Sequence, residues 1–385
     1  MSEAKFVHFD LKLVEPAFGS SLTDLIIALD FLRKKELGGS THPKVFFQLK
    51  HIFQTLESIG SARIEGNNTT IAEYIESKIE EKKSLPPGIK EIKNIENAMA
   101  FIEKNVKDYP INRAFISEIH KIIVDGLLPP PDGEGDLTPG DYRKINLKIA
   151  RSNHLPPEWI HVGGYMSELF GFINQPDSPK YDLLKAAIAH HRFVWIHPFG
   201  NGNGRTVRLL TYAMLVKTGF NIDVGRIVNP TAVFCSNRNY YYDNLALADT
   251  GTDSGILSWS EYVLKGLKVE IEKIDKLLDY NFLRSEILIP ALNYSLERKF
   301  INDAEFRILK KTVDKQVIQA NAVKEFFEGK ANAEVSRQIR KLINKKMLIP
   351  ESERSRKYII RFDNNYLLRG IIYSLGEKGF LPLKE

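Results

Sequence analysis

The chain has 385 residues, 43% of them hydrophobic and 26% charged, an ordinary composition for a folded protein and enough length for two or three domains. No apolar run is long enough to span a bilayer and Met1 to Phe18 is too mixed for a secretory signal, so no membrane partner is expected. One cysteine, Cys235, excludes an internal disulfide framework and a Cys-rich zinc site, and a reducing cytoplasm is the expected setting. The net charge of +6 is uneven, since residues 301–385 hold 18 Lys and Arg against 11 Asp and Glu while the remainder is nearly neutral. An acidic partner, nucleic acid among the candidates, is therefore sought in the C-terminal part.

Residues 21–35 and 46–59 repeat apolar positions at three and four, so the chain opens with amphipathic helices. Glu65, Gly66, Asn67 and Asn68 then read as a helix end, with Thr69 or Thr70 capping a helix that starts at Ile71. A charged run over 76–83 leads into the loop 84–89, and helices resume across 92–106 and 110–124. In the second of these Ile111, Phe115, Ile119 and Ile122 mark the core stripe, and His120, off that stripe, is expected to be exposed. Four prolines make 127–139 a loop. Weak alternation over 142–151, a turn at 152–157 and the β-prone Trp159 to Val162 predict a hairpin. Residues 166–173 and 183–195 are helical by pattern. The adjacent His190 and His191 of the second point about a hundred degrees apart, too far to chelate one ion.

The densest chemistry is Trp195-Ile-His-Pro-Phe-Gly-Asn-Gly-Asn-Gly-Arg-Thr-Val-Arg-Leu-Leu210. His197 is a candidate general base. Gly200, Gly202 and Gly204 clear side chains from a run of backbone amides, and the pattern from Arg205 onward is helical, so the glycines lead to a helix N-terminus, where anions bind. Arg205 and Arg208 lie three apart on one face, placed to hold separate phosphates. No Gly-Lys-Ser/Thr follows, which excludes a Walker loop, and the helix-like segment ahead excludes a Rossmann fingerprint.

His197 to Arg208 resembles the signature of the Fic/Doc (Fido) family, His-x-Phe-x-Asp/Glu-Gly-Asn-Gly-Arg-x-x-Arg. The resemblance implies a mainly α protein, a helical core with a small β-hairpin flap, that transfers AMP from ATP to a protein hydroxyl. It implies His197 as the base, Asn203 and Gly204 at the α-phosphate, and Arg205 and Arg208 at the outer phosphates. Asn201 stands where the family usually has the acid that ligates Mg²⁺; an amide oxygen brings no charge, and hard cations favour carboxylates. Ser61-Ala-Arg-Ile-Glu65-Gly66 is similar to the Ser/Thr-x-x-x-Glu-Gly/Asn inhibitory motif of many Fic proteins, whose glutamate pairs with the second motif arginine, here Arg208. The hairpin of residues 144–162 falls where the family has its flap, which receives an extended segment of the target protein by strand addition. Tyr240 and Tyr241 fall in a tyrosine-rich helix that the family places beside the nucleotide.

Past a long Lys/Glu-laced helix from Trp259 to Leu283, the segments 305–311, 317–327 and 331–347 read as three short helices, and 348–350 and 356–362 as strands. That order predicts a winged helix-turn-helix, with Ser336, Arg337, Arg340 and Lys341 offered to DNA through residues 331–361, or an interaction module with a basic face. The expected domains are 1–105 with the inhibitory motif, 106–283 as core and 284–385 as the winged helix. Two functions stand: an autoinhibited AMP-transferring enzyme, and a DNA-binding regulator whose core senses nucleotide or serves as scaffold. Self-association stays open.

Overall fold

The computed structural model describes residues 5–35, 38–80, 84–149, 152–220, 227–327 and 332–381. Its helices are α1 (Ser21–Lys34), α2 (Pro43–Ile64), α3 (Ile71–Ile79), α4 (Pro87–Asn105), α5 (Arg113–Val124), α6 (Val162–Asn174), α7 (Asp182–Ile196) and α8 (Asn203–Lys217). There follow α9 (Pro230–Cys235), α10 (Arg238–Ala248), α11 (Asp253–Asp275), α12 (Tyr280–Phe282), α13 (Ile289–Glu297), α14 (Asp303–Lys315), α15 (Asn332–Asn344) and α16 (Leu367–Glu377). The strands are β1 (Ile318–Gln319), β2 (Leu348–Pro350) and β3 (Lys357–Ile360). The protein is mainly α, and no helix among the described residues is long and apolar enough to cross a membrane.

Side-chain caps start several helices as the sequence directs. Ser20 accepts from Thr23 N at α1, Asn112 from Phe115 N at α5, and Thr70 forms a reciprocal capping box with Glu73 at α3. The chain divides into two compact units, one of residues 1–36, 57–69 and 85–271, the other of 37–56, 70–84 and 272–385. In the first, α4, α5, α6, α7 and α8 pack on one another. Helix α8 is buried from Arg205 to Val216 and α7 along nearly its whole length, so both lack the polar face of a surface helix. In the second, α13 packs on α16, and an antiparallel sheet in the order β1, β3, β2 sits against α14, with Leu348 opposite Ile360 and Ile318 opposite Tyr358. Residues 320–327, expected as an ordinary helix, form a tighter 3₁₀ helix directly after β1.

The hairpin expected over 142–162 is corrected. Trp159–His161 is a 3₁₀ turn that runs into α6, and no strand is present among the described residues of this stretch. Pro156 and Pro157 lack the N–H groups a ladder needs. The strand-type pairing goes elsewhere: Lys5 forms a parallel bridge with His154, through Lys5 N to Asn153 O (3.0 Å) and Leu155 N to Lys5 O (3.1 Å). The two limbs are instead tied by side chains, with Trp159 N donating to Asn146 Oδ1 at 2.9 Å.

On α2, Glu57 and Ser61 lie four apart, and Glu65 follows at the same interval just past the helix end, so all three share a face. Glu57 is 4% exposed; Thr231 N, in the first turn of α9, donates to its Oε1 at 2.8 Å, and Oε2 has no hydrogen-bond partner. Burial pushes this carboxyl up to about 8, with the Thr231 hydrogen bonds and the Arg208 charge opposing. The folded state thus keeps a proton that the unfolded chain loses near 4.5, so this group makes stability fall as pH rises from about 4.5 to about 8 and adds no slope above that. Glu57→Gln should remove this contribution, and the melting temperature of the variant should decline less than that of the wild type between about pH 5 and about pH 8. Parallel melting curves would show that Glu57 ionises as an ordinary carboxyl.

Candidate active site

The site is built on the turn that joins α7 to α8. Helix α7 ends on His197, which takes the left-handed conformation at φ 52° and ψ 62°, and α8 starts from Gly202 at φ 74°, where a side chain would be strained. Between them Asn203 is a staple: Phe199 N donates to its Oδ1 at 2.9 Å and its Nδ2 donates back to Phe199 O at 2.9 Å. Its amide, expected at a phosphate, is therefore committed to the loop. Asp136, from the proline-rich loop, accepts Asn201 N at 2.8 Å through Oδ2 and Thr138 N at 2.7 Å through Oδ1.

His120 is corrected from exposed to buried. Its ring stacks on Phe199 with centroids 3.8 Å apart and planes 6° off parallel; Nδ1 accepts from Gly140 N at 2.9 Å and Nε2 donates to Asn201 O at 3.0 Å. Helix α5 packs against both α4 and α8, so one apolar stripe does not account for its buried surface.

The His197 ring has Nδ1 at 3.3 Å from Val194 O. A carbonyl can only accept, so Nδ1 carries the proton and the neutral ring keeps a lone pair on Nε2. Burial lowers this histidine to about 4, the Val194 contact opposing and the Arg143 charge reinforcing the shift. At neutral pH it is an unprotonated base.

Both motif arginines are buried and held by carboxylates. Arg208 donates from Nε to Ser61 Oγ (2.8 Å) and from one amino group to Ser61 O (2.9 Å) and Glu65 Oε1 (2.7 Å). Burial alone would raise the Glu65 carboxyl, but the charges of Arg208 and Arg205 outweigh it and hold the group below its ordinary value. The same carboxylate lies against Gly204, where a Cβ would collide with Glu65 Oε1. Arg205 lies 3.0 Å from Glu91 Oε1 and donates to Glu134 O at 2.7 Å. Glu91 also accepts from Asn67 Nδ2 at 2.7 Å, and Asn67 lies two residues beyond Glu65. Burial raises the Glu91 carboxyl, with Arg205 opposing.

Around the remaining predicted positions, Gly200 packs against the Asp136 carboxylate and Gly202 against His120 and Ile123. Asn201 turns its amide nitrogen to Gly135 O (3.1 Å) and Glu134 Oε2 (3.4 Å). No group of three or more His, Cys, Asp or Glu placed to hold a metal occurs among the described residues. Tyr241 is 2% exposed and its hydroxyl meets His190 Nε2 at 2.9 Å, so its ring is not offered for stacking; Tyr240 is 53% exposed. His190 also meets Thr211 Oγ1 at 2.7 Å and is packed beneath the site. Sequence reading misses Glu91, Glu134, Asp136 and Arg143. Each stands in an unremarkable local pattern, and only the tertiary path brings it to the turn.

Residues 110–215 match the model of the Fic/DOC family. The protein adenylyltransferase Fic of Culex quinquefasciatus is 30% identical over 210 residues, covering 53% of this chain and 37% of that protein. Its counterpart in Nematostella vectensis is 29% identical over 199 residues, covering 50% of this chain and 42% of that protein. The chain thus spans less than half the length of these relatives. The fold is similar to that of a Fic family protein from Desulfovibrio desulfuricans G20, with a TM-score of 0.55 and 17% identity over 92% of this chain and 98% of that one. It is also similar to that of Fic-1 from C. elegans, with a TM-score of 0.53 and 22% identity over 67% and 72% of the two chains. The chain carries a Fic/DOC family domain, in residues 110–215.

Proposed function

We propose that this chain transfers AMP from ATP to a hydroxyl side chain of a target protein and that Glu65 restrains the transfer. The observation that carries the reading is the Glu65 carboxylate, seated on Arg208 at 2.7 Å and against Gly204 at the start of α8, where an anionic ligand of that helix would bind. In the reaction, Nε2 of His197 takes the hydroxyl proton, the freed oxygen bonds to the α-phosphorus, and the bond to the β-phosphate oxygen breaks to release pyrophosphate. Arg205 and Arg208 hold the outer phosphates once their carboxylates give way. The names of the relatives support the same chemistry. The target's segment docks on residues 144–162, in an extended form received through main-chain groups.

A divalent ion would come with the nucleotide, as Mg²⁺ takes one or two carboxylates together with substrate phosphates. The residues near Asn201 do not form a cage of their own, because its amide nitrogen rather than its oxygen is turned toward Gly135 and Glu134. A second partner is supported by α15, on which Ser336, Arg337, Arg340 and Lys341 are exposed while Val335, Ile339 and Leu342 are buried. We assign duplex DNA to that basic face, although Arg337 pairs with Glu334 (3.0 Å) and Lys341 with Glu305 (3.1 Å).

Removing one partner of a buried ion pair costs about 3–5 kcal/mol, so Glu65→Gly leaves Arg208 in need of an anion. The variant should gain more thermal stability from ATP than the wild type does. It should also label protein from α-labelled ATP at least about tenfold faster, with His197→Ala in the same chain silent. Equal labelling by a folded, ATP-bound variant would show that Glu65 does not restrain the transfer.

Asn201→Asp would set a carboxylate against Gly135 O and the Glu134 carboxylate. Its melting temperature should fall in chelator and recover with Mg²⁺ and a non-hydrolysable ATP analogue. A loss that metal leaves unchanged would mean the ion does not bind there.

The full chain should shift duplex DNA in a gel at low salt, with affinity falling steeply as salt rises and with Arg340→Ala weakening it. No shift at low salt would leave the basic face to a protein partner.

A further inference from the structure

The mechanism leaves unused one buried cation beside the base. Arg143 is 3% exposed, and no carboxylate lies in ion-pair range of it among the described residues. Its Nε donates to His197 O at 2.9 Å, one amino group to Ile145 O at 2.8 Å, and the other to Pro157 O at 2.5 Å and Ile196 O at 3.4 Å. Its own backbone N donates to Pro198 O at 2.8 Å. Every polar group of the residue that donates thus goes to main-chain carbonyls, two of them at the C-terminal end of α7, one just past it at Pro198, and one on each limb of the 144–162 stretch.

Two physical requirements meet here. A helix that ends in the interior leaves carbonyls without partners, and a cation suits the negative end of its dipole. His197 also sits at φ 52°, a conformation that costs a residue with a Cβ about 1–2 kcal/mol and persists only where the surroundings over-determine it. A planar fork of five N–H donors can engage both carbonyls of the helix end and both limbs at once; an ammonium, a point charge on a flexible stem, cannot.

We propose that Arg143 is a positioning residue for the transfer reaction: its guanidinium holds His197 in the left-handed turn and fastens the target-docking stretch 144–162 to that turn. Orientation of the base and placement of the target segment are then set by one side chain. The role in transfer rests on the function proposed above, whereas the clamp on His197 does not.

Glycine takes the left-handed conformation without the penalty that alanine and histidine incur. With the clamp gone, alanine can leave the strained conformation and recover its penalty whereas glycine has none to recover, so Arg143→Lys should lower the melting temperature of the full-length His197→Gly protein by at least about one and a half times as much as that of the His197→Ala protein, in a double-mutant cycle that requires no turnover. Equal losses, or failure to fold in both, would overturn the clamp, because Arg143 would then be holding the fold independently of His197. In the Glu65→Gly chain, Arg143→Lys should cut kcat at least about tenfold while leaving the KM for ATP within about twofold, since no phosphate group is assigned to it. A loss confined to the KM for ATP, or an unchanged kcat, would overturn the positioning role. Absence of labelling from Glu65→Gly itself would count against AMP transfer, while the stability cycle would still decide the clamp.

Discussion

Two helices buried on nearly every side, α7 and α8, meet at a turn whose main-chain groups must find partners, and the site is built from the side chains that supply them. Helix ends leave unpaired carbonyls on one side and unpaired amides on the other. Arg143 takes the carbonyls at the end of α7, Asn203 pairs with both polar groups of Phe199, and Asp136 and His120 take the amide and carbonyl of Asn201. The Glu65 carboxylate then lies against Gly204 in the first turn of α8. A burial pattern that serves packing thus leaves an anion seat beside a histidine.

Electrostatics around that seat is arranged as two buried pairs. Arg208 is matched by Glu65 and Arg205 by Glu91, so the closed form holds no uncompensated guanidinium there. A buried charge is costly unless it is paired or its donors are met, and on the proposed function polyphosphate would offer these arginines the same pairing with more charge. His197 behaves differently. Burial keeps His197 neutral, and the Val194 carbonyl selects the ring nitrogen that carries its proton.

Much of this is legible in the sequence where the signal is local. The glycine-spaced motif places the base, the turn and the start of α8; the run from Glu65 to Thr70 reads as helix end and cap, and Gly66 at φ 109° with Thr70 capping α3 is that arrangement. Sequence reading fails where tertiary context decides. His120 departs from its expected exposure because α5 is covered on two sides, and Trp159 to Val162 loses its β-prone character to the prolines ahead of it and to the start of α6. Glu91, Asp136 and Arg143 come from three separate elements. No spacing within any one of them reveals that they converge.

The Asn67 side chain gives the arrangement a further property. It lies two residues past Glu65 and donates to Glu91, which in turn sits on Arg205, so the short stretch after α2 touches both arginine pairs. Withdrawal of that stretch would break the Arg208 pair outright and take the Asn67 hydrogen bond from Glu91, while the Arg205 pair, formed with α4, would stay in place with less support. On the function proposed above, nucleotide would then free Arg208 first and compete with Glu91 for Arg205 second, so that release runs as a staircase of two steps.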